Sequence, residues 1–203
     1  WAVLGGGIGC ENSQAIITDC RIENNNSIIN GGGLFLRDSD LMISDVSILE
    51  NTAGESTGTG GGGGGLYCLG SDPTLTRVLF AYNDSPFDYG GAIYCDSSNP
   101  NLTNVTIANN TAIYPAGGIF CNNGSEATLI NCILWNNSEN KINTFIDGSA
   151  TVSYSNIQYG YEGEGNINAD PLFCDVENND YALAENSPCV STGQDGTDMG
   201  ALG

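Results

Sequence analysis

Short apolar blocks recur along the chain behind pairs or triplets of glycine. Each block places an apolar residue just after the glycines, at intervals of 26 or 27 residues with one of 32. These residues are Ile8, Leu34, Leu66, Ile93 and Ile119. A degenerate sixth copy fits at residues 145–147. About ten residues later, each copy has a second block with three apolar positions separated by polar or small residues. The short blocks predict strands, and no helical period accompanies them.

A repeat of this length, made only of short strands and turn residues, predicts an all-β parallel solenoid, or β-helix, of about six coils. We assign residues 1–165 to the coils, with a Gly-rich insert at 54–65, and residues 166–203 to an irregular C-terminal cap. Equivalent residues of successive coils stack in columns about 4.8 Å apart. A second inward column is expected at Cys20, Val46, Val78, Val105 and Cys132.

An Asn follows the last apolar position of each copy by three residues, at Asn25, Asn51, Asn83, Asn110 and Asn137. We expect this Asn column at a tight turn, because Asn tolerates left-handed backbone and its amide can hydrogen-bond to the next coil.

The third copy ends with Phe80-Ala-Tyr-Asn83, and the fourth begins with Gly90-Gly-Ala-Ile93. These motifs resemble the FxxN and GGAI repeats of the chlamydial polymorphic outer-membrane proteins. More broadly, the chain is similar to the right-handed parallel β-helix repeats of bacterial secreted and surface proteins. The stretch from Asp170 to Ala201 is similar to the segment that often ends such helices. The resemblance implies this fold and a secreted or cell-surface location, while the scaffold hosts lyases, hydrolases, adhesins and inert stalks.

Composition narrows the possible functions. The 203 residues include 4 Lys and Arg, 24 Asp and Glu and no His, for a net charge of −20. Four cations cannot form a basic patch, which excludes a nucleic-acid partner. The absence of His excludes His-based nucleophilic catalysis and His-ligated metal sites. Apolar runs are short, so we expect no membrane insertion.

Eight cysteines in an acidic chain favour an oxidising, extracellular location. Their positions in the columns suggest four disulfides: Cys10–Cys20, Cys68–Cys95, Cys121–Cys132 and Cys174–Cys189. The alternative is a ladder of reduced cysteines that fills the core.

One column combines acid and base. Asp19 and Asp45 stack there with Arg77 in the next coil. This cluster would suit a polysaccharide lyase or a two-carboxylate glycosidase, and its two carboxylates are candidates for Ca²⁺ ligands. A solvated polar face explains it equally well, and no cofactor is required.

Tyr67, Tyr94 and Phe120 form an outward aromatic stripe that could stack on a glycan or pack on a protein.

The leading hypothesis is a non-enzymatic, extracellular structural or adhesive domain. Its first coil has no preceding coil, and the open edge could contact a second copy end to end or another surface protein. The alternative is a carbohydrate-active enzyme or glycan-binding module.

Overall fold

The computed structural model describes residues 2–54, 61–114, 116–138, 142–144 and 148–202. Within these ranges the chain forms a parallel β-solenoid with three long sheets. We name them sheets A, B and C in the order in which each coil visits them. A coil is thus a short strand in sheet A, a four-residue strand in sheet B and a long or divided strand in sheet C. The all-β solenoid predicted from the repeat is confirmed.

The strands follow one another coil by coil. The first three coils contain β1 (Ala2–Leu4), β2 (Ile8–Glu11), β3 (Ile16–Glu23), β4 (Asn26–Asn30), β5 (Leu34–Arg37), β6 (Met42–Leu49), β7 (Thr52–Ala53), β8 (Leu66–Leu69) and β9 (Thr74–Ala81). In the fourth and fifth coils the sheet C strand is divided, which gives β10 (Asp84–Ser85), β11 (Ile93–Asp96), β12 (Asn101–Thr103), β13 (Thr106–Ala108), β14 (Thr111–Ala112), β15 (Ile119–Asn122), β16 (Glu126–Ile130) and β17 (Ile133–Trp135).

The sixth coil comprises β18 (Ile142–Thr144), β19 (Ser149–Ser153) and β20 (Asn156–Ile157). It has no sheet A strand among the described residues, so five coils are complete and the expected six is a slight overcount. The C-terminal segment adds an antiparallel hairpin of β21 (Phe173–Asp175) and β22 (Asp180–Leu183), and two short 3-10 helices at Val176–Asn178 and Gln194–Gly196. No helix in the described ranges has the length and apolar character needed to cross a membrane.

The apolar columns lie inside the solenoid, as the repeat predicts. In sheet B, Leu34 pairs with Leu66, Leu66 with Ile93, and Ile93 with Ile119. In sheet C, Cys20 pairs with Val46, and Val46 with Val78. These side chains join one continuous core along the axis of the rod. Alternation within each strand sets this arrangement, because every second side chain points inward.

The corners of each coil depend on left-handed backbone. Four residues per coil have φ between 48° and 89°, in four columns: Gly5, Gly31, Gly63, Gly90 and Ala116; Asn12, Asp38, Gly70, Ser97 and Asn123; Asp19, Asp45, Arg77, Asn104 and Asn131; Asn24, Glu50, Tyr82, Asn109 and Asn136. Gly, Asn and Asp dominate because they adopt this conformation at least cost. The left-handed residue at the last corner is the one before each column Asn, which corrects the predicted turn geometry.

The second glycine of each coil start is required by close approach of neighbouring coils. A Cβ at Gly32 would lie 2.4 Å from the carbonyl oxygen of Gly64 and 2.5 Å from that of Thr52. No side chain fits in that space, so the glycines recur with the same period as the core.

The insert at 54–65 does not disturb the stacking. Residues 55–60 of this insert, and the sixth copy at 145–147, lie outside the described residues. On either side of the insert, β5 and β8 remain in register from Leu34–Leu66 to Arg37–Leu69, and sheet C is likewise continuous from β6 to β9. The register of sheets B and C is therefore the same before and after the insert.

Candidate functional site

The column of Asn side chains forms a hydrogen-bonded ladder through the core. The Nδ2 of Asn25 donates to the Oδ1 of Asn51 over 3.0 Å, and the same bond runs on to Asn83, Asn110 and Asn137 at 3.0, 2.9 and 2.9 Å. Each Oδ1 also accepts the backbone N–H of the Asn before it. Asn51, Asn83 and Asn110 are fully buried. The predicted contact with the next coil is thus confirmed for the first four amides of the column, and the column is structural.

A parallel ladder of serine was missed in the sequence. The Oγ atoms of Ser39, Ser71, Ser98 and Ser125 each accept the backbone N–H of the serine one coil earlier, at 2.9 to 3.0 Å. Each hydroxyl in turn donates to a nearby carbonyl, as Ser39 does to Arg37 over 2.7 Å. The signal was present, because these serines recur with the same spacing as the Asn column. They satisfy backbone groups that the turn leaves without a partner.

The acid–acid–base column is assembled as predicted, but as an ion pair. The guanidinium of Arg77 holds both carboxylate oxygens of Asp45, with Nε–Oδ1 of 2.6 Å and Nη2–Oδ2 of 2.7 Å. Asp19, the third member, accepts a hydrogen bond from the hydroxyl of Thr18 over 3.0 Å. All three stand at a left-handed corner of sheet C on the exposed surface.

The electrostatics of this column oppose acid–base work. Its hydrogen bond with Arg77 lowers the pKa of Asp45, and the reciprocal bond with Asp45 raises the pKa of Arg77. A general acid at neutral pH needs a carboxyl of raised pKa, and an arginine base needs a lowered one. Both shifts therefore have the wrong direction for a general acid at Asp45 and for a general base at Arg77.

Metal ligands are not clustered in the described part of the chain. No group of three or more Cys, Asp or Glu side chains there is arranged to hold an ion. Asp19 and Asp45 are brought together, but one of the two is held by Arg77 in the bidentate pair. Ca²⁺ binding by these two carboxylates stays a prediction.

The aromatic stripe is continuous, but most of it is covered. Tyr67 stacks on Tyr94 with ring centroids 4.7 Å apart, and Tyr94 contacts Phe120 at 5.0 Å. Tyr89 also stacks on Phe120, with ring centroids 4.3 Å apart. Tyr67 and Phe120 are only 8% and 2% exposed, and burial raises the pKa of Tyr94 to about 12. The expected exposed platform for a glycan is therefore wrong for Tyr67 and Phe120.

All eight cysteines are free thiols in the structure, which contradicts the four predicted disulfides and supports the alternative ladder. Cys68, Cys95 and Cys121 stack in register in sheet B. The other predicted pairs, Cys10–Cys20 and Cys121–Cys132, would have to cross from sheet B to sheet C.

The two cysteines of the predicted C-terminal pair, Cys174 and Cys189, lie in different environments. Cys174 is exposed on the hairpin, whereas Cys189 is buried beside the amide of Asn156, with Nδ2–Sγ of 3.0 Å. In the core, a hydrogen bond with Cys95 and burial raise the pKa of Cys121, and burial raises that of Cys132 to about 12. Such thiols are neutral hydrophobic side chains rather than nucleophiles.

The C-terminal segment covers an outward apolar face of sheet C that was also missed. Tyr181 and Ala201 pack on Leu49, Leu79, Ala81 and Ala108. The first residues of the segment cap the sixth coil, where Ile157 donates its backbone N–H to the carbonyl of Ile167 over 3.0 Å. The remainder returns along the flank, with Asn104 Nδ2 donating to the Asp198 carbonyl over 2.8 Å. The predicted end cap is thus largely a lateral cover.

The comparison with protein families agrees with this architecture. Residues 6–184 match the family described as the right-handed β-helix region. No curated protein and no solved structure gives a significant match. The match covers the coils from residue 6 onward and the first half of the C-terminal segment, residues 166–184. With most of its length matched, the chain belongs to the right-handed β-helix family.

Proposed function

We propose that the chain is a non-enzymatic structural or adhesive module of a secreted or cell-surface protein. The observation that carries this proposal is the state of the acid–acid–base column. Its carboxylate and guanidinium hold each other in a bidentate pair whose pKa shifts oppose general acid–base catalysis. The buried Asn and Ser side chains of the coils form the two ladders that hold neighbouring coils together.

The location is proposed on two grounds. The repeats around Asn83 and Ile93 resemble those of bacterial surface proteins, and a net charge of −20 keeps a rod soluble in a salty medium. Surface digestion of intact producing cells with a non-specific protease tests it. We expect cleavage of the module without cell lysis, and protection until lysis would place it inside the cell.

Catalysis is tested directly by incubating the chain with polygalacturonate, alginate and neutral β-glucans, with and without Ca²⁺. We expect no new reducing ends and no unsaturated uronates. Turnover that disappears in Asp45→Asn and in Asp19→Asn would overturn the proposal in favour of the carbohydrate-active alternative. Turnover unaffected by these substitutions would contradict it as well, and would place the catalyst elsewhere on the rod.

End-to-end contact is the proposed mode of assembly. Within the described residues, β1, β2 and β3 each pair with a strand on one side only, and the inward side chains Ile8 and Ile17 are partly exposed. Electron microscopy of the purified chain tests this mode. Uniform filaments or end-joined pairs support it, and discrete single rods at all concentrations exclude it.

A further inference from the structure

A partly enclosed cleft of ≈ 320 Å³ lies where the C-terminal segment meets the fourth and fifth coils. Trp135, at the end of β17, lines one side. Phe173, with Leu172 and Val176, lines the other side from the C-terminal segment. The volume is that of a small-molecule site rather than of a macromolecular surface.

The walls of the cleft are aromatic and apolar. Trp135 is partly exposed, and its indole N–H has no hydrogen-bond partner among the described residues. Phe173 is fixed by an edge-to-face contact with the buried Tyr181, with ring centroids 5.0 Å apart. The cleft therefore presents two aromatic side chains whose positions are supported by packing on the flank of sheet C.

The amides at the rim are occupied by each other. Asn136 Nδ2 donates to Asn109 Oδ1 over 2.5 Å, and Asn109 Nδ2 donates to the hydroxyl of Tyr181 over 2.7 Å. Asp170 accepts the backbone N–H of Leu172 at Oδ1 over 3.0 Å. Its second oxygen has no partner among the described residues. The one charged group among the described residues that line the cleft is thus the exposed carboxylate of Asp170.

We propose that this cleft binds a small quaternary ammonium ion. Aromatic faces attract cations through their quadrupoles, and Asp170 supplies the opposite charge. The net charge of −20 concentrates cations near the surface. Leu172 and Val176 favour a methylated ammonium over a primary one, because a primary ammonium holds its water more strongly.

This inference goes beyond the proposed function, because a structural rod needs no small ligand. An experiment can refute the ligand site without refuting the proposed structural function, and the reverse. Loss of the ligand would leave the absence of catalysis untouched, and an unexpected catalytic activity would leave the cleft untouched.

The experiment uses the two tryptophans of the chain. In a Trp1→Phe variant, Trp135 is the sole indole, so its fluorescence reports on the cleft. We expect choline to change this fluorescence saturably, with a Kd on the order of 1 mM. The neutral isostere 3,3-dimethylbutan-1-ol is expected to bind at least ~10-fold more weakly. Equal binding of choline and its isostere, no response to choline, or tighter binding of glucose would each overturn the proposal.

Two variants distinguish choline binding in the cleft from the non-specific attraction of cations by the negatively charged surface. Asp170→Asn is expected to weaken choline binding by about tenfold. Asp175→Asn is the matched control, because Asp175 is an exposed carboxylate of the same segment that does not line the cleft. Circular dichroism checks that both variants fold. Equal weakening by the two substitutions would reduce the effect to non-specific attraction and refute the assignment.

Discussion

The Asn ladder offers the sharpest test of how the rod is held together. The perturbation is Asn83→Ala, in the middle of the ladder. Asn83 is fully buried, and its Nδ2 donates to Asn110 over 2.9 Å and to the carbonyl of Ile48 over 2.8 Å. Its Oδ1 accepts the backbone N–H and the Nδ2 of Asn51, over 3.1 and 3.0 Å. The substitution removes all four bonds.

The loss in the free energy of unfolding depends on whether each broken bond leaves a buried group without a partner. Each intramolecular hydrogen bond contributes about 1 kcal/mol net, and a buried donor without an acceptor costs about 1–3 kcal/mol. Three of the four lost bonds contribute about 3 kcal/mol together. The fourth leaves the backbone N–H of Asn51 without an acceptor, which costs about 1–3 kcal/mol more, so the total loss is about 4 to 6 kcal/mol. A domain of ordinary stability has roughly 5–15 kcal/mol to lose. We therefore expect a variant that is folded but much weakened, or one that is largely unfolded.

The assay is urea unfolding followed by far-ultraviolet circular dichroism, with the free energy of unfolding taken by linear extrapolation. Asn25→Ala is the control, because Asn25 is only partly buried and its side chain makes one hydrogen bond among the described residues, to Asn51. We expect Asn25→Ala to cost about 1 kcal/mol. The slope with urea should be unchanged in both variants.

Equal losses in the two variants would refute the reasoning. So would a loss below about 1 kcal/mol in Asn83→Ala, since a buried N–H left unpaired costs at least that much. Either result would mean that neighbouring carbonyls or water replace the lost partner, and that the ladder is not the main constraint on coil stacking.

Three further predictions concern other features. Glu50→Asn should raise the free energy of unfolding by about 0.5–1 kcal/mol, because Glu50 has φ of 53° and Asn fills the same corner in three other coils; a lower urea midpoint would contradict this. In thiol labelling with Ellman's reagent, exposed Cys174 should react at once, whereas the buried thiols should wait for unfolding: Cys68, Cys95, Cys121, Cys132 and Cys189. Burial raises the pKa of Cys132 from 9.0 to about 12, so its contribution to stability is complete below pH 9 and is lost towards pH 12, by about 4 kcal/mol. Urea titrations across this range should show a smaller fall in Cys132→Ala than in the parent chain.

The repeat predicted the core because the same physical rule acts in every coil. Alternation along short strands places Leu34, Leu66 and Ile93 inside, and their period gives the register directly. The amide contacts of the Asn column follow from the same periodicity. The position of the left-handed corner was wrong by one residue. At Asn109 and Asn110 both residues are asparagines, and at Glu50 and Tyr82 the left-handed residue is of a type that does not favour this backbone.

Features formed between non-repeating segments could not be predicted in the same way. Tyr89 lies between strands and covers Phe120, so the exposure of the aromatic stripe depended on a loop that has no period. The C-terminal segment likewise lacks the repeat, and its packing on Leu79 and Ala108 was hidden. The predicted disulfides were wrong because the positions of cysteines in the repeat are the same for three stacked thiols as for one disulfide beside a free thiol.

The third coil is reached after 32 residues instead of 26 or 27, yet Asn51 still bonds to Asn83 and Ser39 still bonds to Ser71. The turn between the Asn column and the next glycine pair can therefore change in length without changing the register of the coils. Foreign peptides grafted there would be displayed at a chosen level of the rod, at a closure cost that grows only slowly with their length. A single residue inserted within β9 would instead turn the following side chains to the opposite face. The solenoid thus tolerates insertions at one turn of the coil, whereas the length of its strands is fixed to the residue.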